Sequence, residues 1–242
     1  MTNPRIDPLS ALGMYDTSFM KILARTKLAV TYFQQYESIN SYLPILLSEM
    51  TTIVGIKTKE GVVLGSDKRA SKGFFIGSKI TQKIAKVDDT LAVAIAGQLS
   101  DAEYLIKVAK GERKLIELRR GFPLTTKESA RLIANLAYSG LKNYQPYFVE
   151  LLVAGVDQEG GHIYAADMSG AITSEDFASS GSGSPIAYGV LESMYHKEIT
   201  NEQAEAVASK AVAAAMERDP GSGNGIEVLA IPNLLATVEV KK

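Results

Sequence analysis

The strongest constraint on the fold is the order in which strand and helix signals alternate: strands, two helices, strands, two helices, strands. Ile53, Val54 and Ile56, a Glu60-Gly61 turn, then Val62, Val63 and Leu64 predict a hairpin. The apolar run Leu91 to Ala96 stops at Gly97, and a helix-compatible stretch, Ser100 to Arg120, follows. Thr125 with Glu128 has the form of a capping box, and Ala130, Ile133, Leu136 and Ala137 supply an apolar face behind it. Strands return over Phe148 to Val156, His162 to Ala166 and Ala171 to Thr173. Ser184-Pro185 predicts the N-cap and first-turn proline of a third helix running through Leu191. Thr200 with Gln203 opens a fourth, with Val207, Ala211, Val212 and Ala215 inward, ending near Asp219-Pro220-Gly221. Ile226 to Ile231 and Ala236 to Val240 predict the closing strands. Hairpin-linked strands with helices in two pairs bury their apolar faces best as two stacked antiparallel sheets between helical layers. The expected fold class is therefore α+β, a four-layer αββα sandwich.

Residues 1-50, with Pro4, Pro8, several tyrosines and methionines at 1, 14, 20 and 50, differ in character from the rest. They read as a leader before one domain at 51-242, or as a start assigned too early. The most apolar part of that leader, Ser18 to Phe33, is interrupted by Lys21, Arg25 and Lys27, which argues against a spanning helix. It also lacks the uninterrupted core of a secretory signal, so a cytoplasmic protein is expected. A net charge of -1 gives no basic footprint for nucleic acid and no attraction to acidic membranes. The absence of cysteine removes disulfides, thiolate catalysis and cysteine-based zinc sites. His162 and His196 alone supply a Ser-His-Asp triad or a histidine-rich metal site poorly, so neither metal nor cofactor is expected.

The chemistry must then use other bases, and Thr51 offers one. If the Met50-Thr51 bond is cut, a single residue carries both a hydroxyl nucleophile and a free α-amine able to serve as its base. Most threonines at the start of strands are structural. Asp67 and Lys83, each near a strand or turn, change the weighting, because strand pairing can bring them to Thr51. A lysine beside a hydroxyl lowers its proton affinity, and an aspartate fixes that lysine's position and charge. The plainer reading of both is solvated surface charge. Gly97 offers a backbone N-H with no side chain in the way, as an oxyanion hole requires, or is simply a turn. Ser180-Gly181-Ser182-Gly183-Ser184 is either a tight polar turn before a helix or a flexible loop. Asp219 and Ser222 are either helix punctuation or small polar groups that orient an amine.

Together the segments TTIVGIKTKEGVVLGSDKRAS, the Lys83 region, AVAIAGQLSDAEYL, LLVAGVD, ASSGSGSPIAYGVLESMY and AMERDPGSGNG resemble the archaeal type of proteasome β subunit. That family belongs to the N-terminal nucleophile hydrolases, and the resemblance runs from Thr51 to about Ile231. It implies a threonine endopeptidase with Thr51 as nucleophile, Asp67 and Lys83 as charged partners and the Gly97 N-H as oxyanion donor. Ser182, Asp219 and Ser222 would form the network around the terminal amine. The family's substrate pocket would fall at Ala70, Ser71, Thr81, Ala85, Ile95, Leu99 and Glu103, favouring cleavage after hydrophobic residues, with Glu103 leaving basic ones possible. The implied partners are other β subunits in seven-membered rings, capping α rings, an ATP-driven unfoldase and unfolded polypeptide. Nucleic acid, membrane, metal and cofactor have no part in it.

Two positions depart from the family pattern. Met50 stands where self-cleaving precursors usually have glycine, and Asn224 where the family often has glycine, although asparagine tolerates left-handed geometry. Met50 leaves two routes to Thr51 open: self-cleavage past a methionine, or translation starting at Met50 with removal by an aminopeptidase. It also keeps open a catalytically silent structural β subunit that supports an active paralogue. A related bacterial-type two-ring protease shares the Thr-Thr start, but GSGSPIAYGVLE fits it less well.

Overall fold

The hairpin at the start of the domain sets the first sheet. In the computed structural model, which describes residues 50-72 and 75-234, β1 (Ile53–Thr58) and β2 (Gly61–Asp67) pair antiparallel, with Ile53 opposite Ser66 and Thr58 opposite Gly61. The expected leader before Met50 and the strand Ala236 to Val240 lie outside the described residues. β10 (Phe177–Ser180) adds to the free side of β1 and β11 (Ile226–Pro232) to the free side of β2, giving a four-stranded sheet in the order β10-β1-β2-β11. A second sheet of five antiparallel strands follows the order β5 (Ile84–Lys86), β6 (Leu91–Gly97), β7 (Val149–Asp157), β8 (Gly160–Asp167), β9 (Ile172–Ser174). β3 (Ala70–Lys72) and β4 (Phe75–Ser78) form a small separate hairpin.

The layering follows from the two-residue period of the strands. On β6, Leu91, Val93 and Ile95 face a core shared with Leu105, Ile106 and Ala109 of α1 (Leu99–Arg120) and Ile133 and Ala137 of α2 (Thr126–Lys142). The alternate residues Ala92, Ala94 and Ala96 face the first sheet, meeting Ile53, Val62 and Leu64. The opposite face of the first sheet, with Val54, Ile56 and Val63, packs on Ala187 and Leu191 of α3 (Ser184–Met194) and on Ala204, Val207, Ala208, Ala211 and Val212 of α4 (Asn201–Met216). Helices, sheet, sheet, helices is the expected four-layer αββα sandwich.

Both predicted capping boxes form, Thr125 with Glu128 and Thr200 with Gln203, so two helix starts are set by local hydrogen bonding. The third helix differs from expectation. Its N-cap is Gly183, Ser184 is already helical, and it runs on to Met194. The reason is that the turn before it is already hydrogen-bonded: Ser184 N donates to Gly181 O at 3.0 Å and Gly183 N to Thr51 O at 3.2 Å. The strands that pattern reading did not resolve, β3, β4, β5 and β10, have only three or four residues each, too few to display a period.

One consequence of the register matters for the site. Ile53 lies opposite both Ser66 and Ser180, and Ile226 lies opposite Asp67. The start of β1, the ends of β2 and β10 and the start of β11 therefore meet at one end of the first sheet.

Candidate active site

Thr51 and Thr52 sit at that end, both buried. Asp67, the last residue of β2, has no exposed surface and receives five donors. The Thr51 hydroxyl donates to Oδ1 at 2.6 Å, Thr52 N at 3.0 Å and Lys83 Nζ at 2.7 Å; Arg69 N and Gly223 N donate to Oδ2, each at 2.9 Å. A buried carboxylate so thoroughly satisfied is fixed in orientation. Lys83 Nζ also donates to Thr51 Oγ1, closing a triangle of Thr51, Asp67 and Lys83. The lysine reaches this point from the second sheet, where Ile95 N donates to its carbonyl at 2.8 Å. Stacking the two sheets is what unites the three side chains.

Burial pushes the Lys83 ammonium below its ordinary value. The charge and hydrogen bond of Asp67, and the more distant Asp219, oppose that shift without cancelling it, and the Arg69 charge adds to it. The neutral amine, which can accept a proton, is thus brought closer to working pH.

A second network holds the other end of Thr51. Its backbone N donates to Ser182 Oγ at 3.1 Å, and Ser182 Oγ donates to Asp219 Oδ2 at 2.7 Å. Ser222 Oγ also donates to Asp219 Oδ2, at 2.6 Å, and lies 2.6 Å from Thr52 Oγ1. With the Ser222 proton committed to Asp219, the Thr52 hydroxyl is the donor in that last contact. Gly181 permits this closeness: its φ is +87°, and a Cβ there would run into the carbonyl oxygen of Thr51. The Ser-Gly-Ser-Gly-Ser string is an ordered wall of the site. All seven residues anticipated as catalytic machinery converge here, with Gly97, at φ +91°, beside Thr51 and Lys83 in the lining of the adjacent cleft.

The family model for proteasome subunits matches residues 48–231. The chain belongs to the proteasome β subunit family. It is 42% identical over 197 residues to the proteasome subunit beta of Methanothermobacter thermautotrophicus, covering 79% of this chain and 93% of that one. It is 44% identical over 182 residues to that of Ferroglobus placidus, covering 75% and 86%, and 42% identical over 181 residues to that of Haloferax volcanii, covering 75% and 73%.

The cluster around Thr51 borders a cleft of about 340 Å³ whose lining includes Ala70, Ser71, Thr81, Ile95 and Leu99. Two expected pocket residues lie elsewhere. Ala85 packs instead into the core between the second sheet and its helices. Glu103 is exposed one turn farther along α1 than Leu99, and is not in the lining. Sequence reasoning also missed Arg69. Its Nη1 donates to Pro220 O at 2.7 Å and its Nε to Asn224 Oδ1 at 2.9 Å, strapping the 220-224 loop against Asp67. The departure at Asn224 thereby gains a purpose: at φ 65° it occupies a glycine-like conformation while its side chain supplies an acceptor that glycine lacks. Among the described residues no group of acidic or histidine side chains is arranged to hold a metal ion, and no helix is long and apolar enough to cross a membrane.

Proposed function

We propose that the chain is a threonine-type endopeptidase subunit of a proteasome core, with Thr51 as nucleophile once the residues before it are removed. One observation carries this: the hydroxyl of Thr51 is held by Asp67 and Lys83 while the nitrogen of the same residue is held by Ser182 and, through it, Asp219. The Thr51 hydroxyl gives its proton to its own freed α-amine or to the Lys83 system, and Oγ1 attacks a peptide carbonyl. An ester forms, the amine product leaves, and water activated by the same amine hydrolyses the ester. An α-amine, with a reference pKa of roughly 7.7 to 8.0, can accept and return that proton near neutrality. The Gly97 N-H is the proposed donor to the developing oxyanion. Ile95, Leu99 and Ala70 in the cleft favour a hydrophobic side chain before the cut.

The family's mode of action extends to partners: β rings closed by α subunits, fed unfolded polypeptide by an ATP-driven unfoldase in the cytoplasm. Thr51→Ala in the assembled particle tests the enzyme reading, with peptidase activity expected to fall about a thousandfold or more. Met50 favours a silent subunit that supports an active paralogue, and undiminished activity in that variant would establish it instead.

A further inference from the structure

Met50 rests directly on Gly221. A Cβ built on Gly221 would overlap the Met50 Cβ and stand 2.9 Å from its Cα and 3.0 Å from its carbonyl carbon; these are the three atoms nearest to it. Glycine is not required at 221 by the backbone, because its φ is outside the left-handed region that other glycines of this chain occupy. Its N-H donates to Asp219 Oδ1 at 3.2 Å, a contact that any residue except proline could make. What glycine contributes at 221 is therefore space, and Met50 fills it. The loop cannot withdraw to make room for a side chain, since Asp219 and Ser222 on either side are tied into the Ser182 and Thr52 contacts.

We propose that the missing side chain of Gly221 is the seat that holds Met50 in register for attack by the Thr51 hydroxyl, making Gly221 a positioning residue for release of the Thr51 amine; this rests on Thr51 being the nucleophile. In that release Oγ1 bonds to the Met50 carbonyl carbon and the Met50-Thr51 amide C-N bond breaks. The hydroxyl proton leaves through the Lys83 amine, and an equivalent proton is gained by the departing nitrogen. Water then adds hydroxide to the carbonyl carbon and hydrogen to Oγ1, freeing Met50 as a carboxylate. A residue with any side chain before the nucleophile thus needs a bare residue beneath it, and this chain pairs the two.

The test follows the intact mass of the full chain with time after mixing with its α subunits, alongside peptide hydrolysis. Gly221→Ala should slow release about a hundredfold, the scale of a misplacement of about 1 Å. Met50→Gly combined with Gly221→Ala should recover part of the lost rate, because the overlap with the Met50 Cβ is removed while the 2.9 Å approach to the Cα of residue 50 stays, whereas general damage to the loop would not be rescued at all. Release at the wild-type rate in Gly221→Ala, no rescue in the double variant, or no release in the wild type would each overturn the proposal. A wild-type chain that releases Thr51 yet cleaves no peptide overturns the peptidase reading and leaves the seat standing.

Discussion

At Lys83, burial and the adjacent carboxylate act in opposite directions, and burial wins. The unfolded chain therefore holds the lysine proton to higher pH than the folded one. Below the folded-state value both forms are protonated and the cost of the buried charge is constant. Between that value and the ordinary 10.5 the unfolded state binds more protons, so this group makes stability rise with pH. Denaturant titrations across that window should show a shallower rise for Lys83→Met than for the wild type; identical slopes would contradict the shift. Peptidase activity should fall about 10²- to 10⁴-fold in Lys83→Met, the range of a lost acid-base group. Lys83→Arg should not restore it, because guanidinium keeps its charge and cannot take the hydroxyl proton. Thr51, Asp67 and Lys83 were legible only as a combination, since contact between the two sheets, and not spacing along the chain, unites them. Arg69 was not legible, because an arginine just after a strand looks like solvated charge until the 220-224 loop folds onto it.

At the scale of elements, the starts of α2 and α4 could be read from four residues each because a capping box is a local device. Thr125→Ala should cost about 1 kcal/mol, read as a lower denaturation midpoint with peptidase activity unchanged. The start of α3 was misplaced by one residue because its turn is organised by Thr51, far away in sequence. β10 shows no period of its own and forms by pairing with β1, from Ile53 opposite Ser180 to Ile56 opposite Phe177. Where α4 crosses the first sheet, the contact is built from small residues. A Cβ on Gly65 would lie 3.2 Å from the Ala208 Cβ and 2.9 Å from Val54 Cγ2, so helix and sheet have no slack. Ala208→Leu should therefore destabilise the fold by about 1–3 kcal/mol or more, measurable by chemical denaturation. Because α4 leads into the loop bearing Asp219 and Ser222, the same variant should also lower peptidase activity.

At the scale of the whole molecule, the four layers followed from the order of elements alone, since each helix pair needs a sheet to cover and the two sheets need each other. The ring assembly carries no such signature in composition, and membership of the proteasome family is what brings it into the proposal. The chemistry requires that Thr51 lead a double life, as side-chain nucleophile and as chain terminus. The most direct measurement is the intact mass of the assembled subunit while it hydrolyses peptides, with its N-terminal residue sequenced. The expected result is an active chain beginning at Thr51 with a free amine. An active chain that still carries an unbroken Met50-Thr51 bond would contradict it.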